Sequence, residues 1–244
     1  MLFKLGPNMY SEIAKRLIVA LDLPNTDQAT KLVEKLDDYV SFYKIGLTLI
    51  PIGGFDLAKK LKKARKKVFL DMKLFDIGQT IENTVKNISQ LDIDFLTVHG
   101  DPQVIRSASK AKDNPSMKIL AVTLLTSMNR NDLDESLIKE GDLSNLVVER
   151  ARIAFLSGAD GVIASPKETK KIKCLKESEG KLIITPGVRL PHQPNNDQKR
   201  VADPVTAFNN GCDYIVVGRP IYKSKNPLAE VKKFQFMPTV QKKR

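Results

Sequence analysis

Apolar residues fall into eight short, β-branched runs, at residues 17–21, 42–46, 68–71, 94–98, 117–123, 161–164, 182–185 and 214–217. Between the runs the apolar positions recur every three or four residues, the spacing of a helix with one buried face. Ala29, Leu32, Val33 and Leu36 form the first such stripe, behind a cap expected at Thr26. Pro51 is expected to open the next helix, carrying Phe55, Leu57 and Leu61. Ile77, Ile81, Val85 and Ile88 share a face of a helix that reaches about residue 90. A further helix starts near Pro102, and another covers residues 143–156 after a longer excursion. Ser165-Pro166-Lys167-Glu168 has the form of a capping box, and Asp203-Pro204 and Asn226-Pro227 open the last two helices.

No run leads directly into a hairpin turn, and fully apolar strands alternating with helices predict a parallel sheet covered on both faces. Eight such units in 244 residues fit a closed (β/α)₈ barrel, a TIM barrel, better than an open sheet. With no Gly- or Ser-rich linker, one barrel domain is expected over residues 17–235, preceded by an N-terminal extension (1–16) and followed by a basic tail (236–244).

Composition narrows the class of function. Hydrophobic residues make up 42% of the chain, ordinary for a globular fold. No apolar run is long enough to span a bilayer and the first residues lack a signal-peptide pattern, so a soluble, cytoplasmic protein without membrane contact is expected. Cys174 and Cys212 lack metal-ligand spacing and read as reduced fillers. The formal net charge of +12 raises nucleic acid as a partner. Its densest run, residues 59–67, closes a predicted helix, where cations suit the dipole and form a solvated face. With no Trp and no binding motif, no nucleic-acid partner is expected.

The chemistry gathers where strands stop. Asp22, Lys44, Asp71, Lys73, His99, Ser127, Arg189 and Arg219 all fall at or just past a strand's C-terminal end, the active-site end of such a barrel. In Val68-Phe-Leu-Asp71-Met-Lys73-Leu-Phe-Asp76, alternation puts Asp71 and Lys73 on one side of the strand end, with Asp76 and Thr80 four residues apart near the next helix's start. Gly218-Arg219 after the eighth strand suits a phosphate, through close backbone N–H groups and a charge-assisted guanidinium. Thr185-Pro-Gly-Val-Arg189 leads into a polar loop, residues 191–198, that could close over an anion. His99 is assigned no chemistry, and Ser127, with no readable histidine and acid partners, reads as a hydrogen-bond donor to substrate.

Asp71-x-Lys73-x-x-Asp76-Ile77 followed by Thr80 resembles the signature of the orotidine 5′-monophosphate decarboxylases. The resemblance extends from Leu17 to about Ile221 through Val19-Ala-Leu-Asp22, Lys44 with Gly46, Leu125-Thr126-Ser127, Thr185 to Arg189, Asn196-Asp-Gln198 and Val217-Gly218-Arg219. It is greatest to the bacterial, free-standing form. Gly78-Gln79 departs from it, where many relatives carry proline and a small residue.

The resemblance implies conversion of orotidine 5′-monophosphate to UMP and CO₂ in pyrimidine biosynthesis, with no metal or organic cofactor. Lys73 would stabilise and protonate the C6 carbanion, flanked by Asp71 and Asp76. Asp22 and Lys44 would contact the ribose and complete the charge network, Thr126 and Ser127 would approach the base, and Gln198, Gly218 and Arg219 would bind phosphate with help from Arg189. In the family Asp76 and Thr80 reach the neighbouring subunit's site, which implies a homodimer. The competing readings are a magnesium-dependent sugar-phosphate decarboxylase or aldolase, whose relatives place an acid where this chain has Lys44, and a non-catalytic RNA-binding barrel.

Overall fold

The structure, a computed structural model, describes residues 14–191, 193 and 200–235. Eight parallel strands close on themselves: β1 (Leu17–Ala20), β2 (Phe42–Gly46), β3 (Lys67–Leu74), β4 (Phe95–His99), β5 (Lys118–Val122), β6 (Gly161–Ile163), β7 (Leu182–Pro186) and β8 (Tyr214–Val217). Closure is made by β1 on β8, with Leu17, Ile18 and Val19 in register with Ile215, Val216 and Val217. The expected (β/α)₈ TIM barrel is therefore the observed fold.

Alternation splits each strand between two cores. Ile18, Ala20, Phe42, Phe69, Phe95, Leu120, Val122, Ile163, Ile184 and Val216 fill the barrel. The other parity packs outward against the helices: Ile81, Val85 and Ile88 from Gly78–Ser89, for example, and Val104, Ile105 and Ala108 from Pro102–Lys110. Fully burying each such side chain is worth about 1.5–3 kcal/mol, so the shell of helices is held mainly by these stripes.

At the N-terminal end of the barrel one device is used three times. Asp94, Asp160 and Asp213, each just ahead of an even-numbered strand, accept the backbone N–H of Val68, Ile119 and Ile183 at 2.8, 2.8 and 2.7 Å. Each is also paired with a lysine, Lys62 at 2.8 Å, Lys112 at 2.8 Å and Lys173 at 3.0 Å. The carboxylates satisfy donors at strand starts that the ladder leaves open.

Helix starts differ from the sequence pattern in detail. Asn25, not Thr26, caps the first helix, accepting from Gln28 N at 2.9 Å. Pro51 lies in a 3-10 turn (Ile50–Ile52), and the helix proper begins at Gly54. Ile77 is outside its helix's buried stripe, 71% exposed. The capping box at Ser165 does not form: the Glu168 carboxylate turns inward to Arg200 at 3.2 Å, both buried, and the helix starts only at Thr169. Stranding the buried Arg200 would cost about 3–5 kcal/mol, more than the roughly 1 kcal/mol of a single cap.

Candidate active site

The inward-facing parity that fills the barrel also carries the polar groups at its mouth. One step of two residues leads from Ala20 to Asp22, from Phe42 to Lys44, from Phe69 to Asp71, from Phe95 to Thr97 and from Val216 to Gly218. Below this layer lies an aromatic floor. Phe42 meets Phe95 and Tyr214 edge-on at 4.9 and 5.7 Å, and Phe69 meets Phe95 at 6.0 Å. The floor excludes water from one side of the polar layer and so strengthens every charge interaction above it.

Above it Asp22, Lys44, Asp71 and Lys73 form a chain of alternating charge. Lys44 Nζ lies 2.9 Å from Asp22 Oδ1 and 3.2 Å from Asp71 Oδ2, and Lys73 Nζ lies 2.7 Å from Asp71 Oδ1. Burial pushes the Asp71 carboxyl upward, but Lys44 and Lys73, aided by hydrogen bonds from Lys73 and Thr97, hold it below its ordinary 3.8. Burial likewise acts to lower Lys44, and Asp71 and Asp22 overcome it to keep the ammonium above its ordinary 10.5. Asp71 and Lys44 therefore both stand charged at neutral pH. Gly46 makes room for them: a Cβ there would come within 2.9 Å of Asp22 Oδ1 and 3.0 Å of Lys44 Nζ.

Lys73 is reached by a break in the ladder. Leu70 pairs with Leu96, but Leu74 pairs with Val98, so β3 bulges between them, and Lys73 takes the left-handed conformation at φ 48°. Such a backbone costs on the order of 1–3 kcal/mol in a residue with a side chain and persists only where neighbours hold it. Thr97 is that neighbour, accepting Lys73 N–H at 3.0 Å and donating to Asp71 Oδ1 at 2.9 Å.

A cavity of about 240 Å³ opens over this network. Asp22, Lys44, Asp71, Lys73, Thr126, Ser127, Arg189, Gly218 and Arg219, all predicted from sequence, line it together. Four cationic side chains face two carboxylates there, which suits an anionic ligand. Arg189 is buried and its backbone N–H bonds Ala202 O at 3.0 Å, tying the end of β7 to the segment before the next helix. Asp76 and Thr80 are exposed and do not line the cavity. Asp76 Oδ1 instead accepts the N–H of Ile77 at 2.7 Å. The His99 ring meets Phe75 at 4.6 Å, tilted by 50°, and also lies off the cavity. Of the predicted loop, residues 191–198, positions 192 and 194–198, Gln198 among them, lie outside the described residues. Among the described residues no cluster of three His, Cys, Asp or Glu side chains comes together as a metal site, and no helix is long and apolar enough to cross a membrane.

Three contributors escape a reading by residue type. Thr97 shares Phe95's parity one step before the strand ends, a signal present in the alternation but weak for a threonine in an apolar run. Tyr222 lines the cavity from the short helix after Arg219, where nothing local marks it. The Glu168–Arg200 pair, with Arg200 also donating to Leu125 O at 3.1 Å, joins residues that are remote in sequence.

Residues 15–234 match the model of the orotidine 5′-phosphate decarboxylase / HUMPS family. The chain belongs to that family. It is 56% identical over 215 residues to the orotidine 5′-phosphate decarboxylase of Ruegeria pomeroyi, covering 88% of this chain and 90% of that one. The Jannaschia enzyme of the same description is 54% identical, with 88% and 94% covered. A crystal structure of orotidine 5′-phosphate decarboxylase from Lactobacillus acidophilus superposes with a TM-score of 0.78 at 37% identity, over 91% of this chain and 97% of the other. With such relatives over most of its length, the chain is an enzyme of this family.

Proposed function

We propose that this protein decarboxylates orotidine 5′-monophosphate to UMP in pyrimidine biosynthesis, with its own side chains supplying the catalytic charge. The observation that carries this reading is the Asp22–Lys44–Asp71–Lys73 chain over an aromatic floor, in a family member whose relatives carry the decarboxylase name. In the reaction the bond from C6 to the carboxylate breaks, CO₂ leaves, and the electron pair stays on C6. The Lys73 ammonium faces that developing charge, gives its proton to C6, and is recharged from solvent. Asp71, held ionised by Lys44 and Lys73, accepts from Lys73 Nζ at 2.7 Å and so anchors the proton donor beside the reacting carbon.

One ion contact is too small to do the whole task. Unit charges about 4 Å apart interact by about 4 kcal/mol at an effective dielectric near 20, while enzymes lower barriers by about 8–23 kcal/mol. The remainder is assigned to a preorganised, water-poor site and to binding energy from the remote phosphate. Arg219, Gly218 and Gln198 would hold the phosphate, Arg189 would support that loop, Thr126 and Ser127 would meet the base, and Asp22 and Lys44 the ribose.

The same reading makes the active form a homodimer in which Asp76 and Thr80 serve the partner's site. Its support is local: Asp76 is exposed and lies between Phe75 and Ile77, 67% and 71% exposed, an apolar pair beside the mouth of the barrel. The reaction is read as needing no metal, because the acids of the site are already matched to Lys44 and Lys73. Assaying the purified protein on orotidine 5′-monophosphate in excess EDTA tests the proposal. Undiminished UMP formation is expected; activity restored only by magnesium would place the chain with metal-dependent sugar-phosphate enzymes, and no turnover beside salt-dependent RNA binding would sink the enzyme reading.

A further inference from the structure

We propose that Thr97 is a positioning residue for the Lys73 ammonium, one hydroxyl fixing both the main chain of Lys73 and the carboxylate that holds its side chain. The inference rests on the reading of Lys73 and Asp71 as the reacting pair.

Thr97 is fully buried, on the inward face of β4. Its Oγ1 receives the Lys73 N–H at 3.0 Å and lies 2.9 Å from Asp71 Oδ1. An amide N–H only donates and an ionised carboxylate only accepts, so the direction of both bonds is fixed. The single hydroxyl proton goes to Asp71. Lys73 Nζ donates to the same Oδ1 at 2.7 Å, which closes a ring from the Lys73 backbone through Thr97 and Asp71 to the Lys73 ammonium.

The ring sits where β3 departs from its register with β4 and Lys73 turns to φ 48°. The displaced ladder leaves the Lys73 amide bonded to a side chain where a strand residue normally finds a backbone carbonyl. Thr97 thereby holds the left-handed turn that brings Lys73 over the cavity, and orients the Asp71 oxygen that receives the ammonium. Valine has nearly the same shape but can do neither. Serine keeps the hydroxyl and loses only a methyl group.

The test compares Thr97→Val, Thr97→Ser and Lys73→Ala with wild type, measuring kcat, KM, the pH dependence of kcat and UMP binding by calorimetry. Misplacing a catalytic group by a fraction of an ångström to 1 Å lowers rates by up to about a hundredfold, so T97V is expected to lose about 10- to 100-fold in kcat. KM and UMP affinity should stay within about threefold, because the phosphate and base contacts are untouched. The acid limb of kcat should move to higher pH in T97V, since Asp71 has lost a donor to its charged form. T97S should remain within about threefold of wild type on every measure. T97V with wild-type kcat, or T97S as slow as T97V, overturns the proposal. Retained activity in K73A would instead remove the underlying reading, so the two failures are distinguishable.

Discussion

The Lys44 ammonium lies 3.2 Å from Asp71 Oδ2, with the two side chains only 9% and 13% exposed. Each makes the other's charge tolerable beneath the mouth of the barrel. Truncating one partner of such a pair strands the other, at a cost of about 3–5 kcal/mol. Lys44→Met leaves Asp71 to Lys73 and Thr97, so it should lower the unfolding free energy by less than that in urea titrations, and lower turnover with it. Asp22, 41% exposed, should matter less to stability because water screens it.

The same pair sets a pH window for stability. Asp71 is held below its ordinary 3.8, so its contribution is complete above that value and fades as pH falls through the lower folded value. Lys44 is held above 10.5, so its share is complete below that pH and fades as pH rises past the folded value. The pair's own contribution to melting temperature should be level between these limits and fall on either side, read as the difference between wild type and Asp71→Asn across pH. In Asp71→Asn the acid-side loss should shrink; an unchanged acid slope would show that other carboxylates dominate it.

Gly46 keeps the space in which Asp22 and Lys44 meet. Gly46→Ala drives a methyl carbon against both, at 2.9 and 3.0 Å. The fold should survive, because both obstructing atoms are side-chain ends. Turnover should fall by about tenfold or more through displacement of the charge network. Wild-type kcat in G46A would show that the network tolerates repositioning.

If Asp76 serves the partner's site, two dead proteins can restore one another. Lys73→Ala and Asp76→Asn should each be nearly inactive alone. Random exchange between them leaves about a quarter of all sites intact in a two-fold dimer. Mixing after dissociation should recover roughly that share of activity, and no recovery would place Asp76 in its own subunit's site. Ile77→Asp should shift the protein toward monomer in sedimentation velocity.

The N-terminal end of the barrel should behave oppositely. Asp160→Ala removes the acceptor of Ile119 N–H and Lys112. It should cost about 1–3 kcal/mol of stability, with kcat per folded molecule unchanged because the site lies at the other end. A large kcat loss would mean that the two ends of the barrel are coupled.

The barrel and most of its rim were legible because both follow from local rules. Apolar runs of strand length alternate with helical stripes, and charges at Asp22, Lys44, Asp71 and Arg219 mark where those runs leave the core. The Ser165 capping box misled for the same reason: its pattern is local, while the Arg200 that captures Glu168 is far along the chain. Ile77 kept the helical period of its neighbours, yet its position ahead of the first turn leaves it exposed.

By itself the sequence determined which residues become strands and helices and which polar groups stand at strand ends, since side-chain alternation and helical period are properties of neighbouring residues. Only the tertiary structure decided that Lys44 bridges Asp22 and Asp71, that β3 breaks register to turn Lys73 into the left-handed region, and that a buried threonine on β4 holds both ends of that turn. Those contacts depend on the register between strands closed into a barrel, which places atoms from remote segments within about 3 Å of one another, a distance no local period encodes.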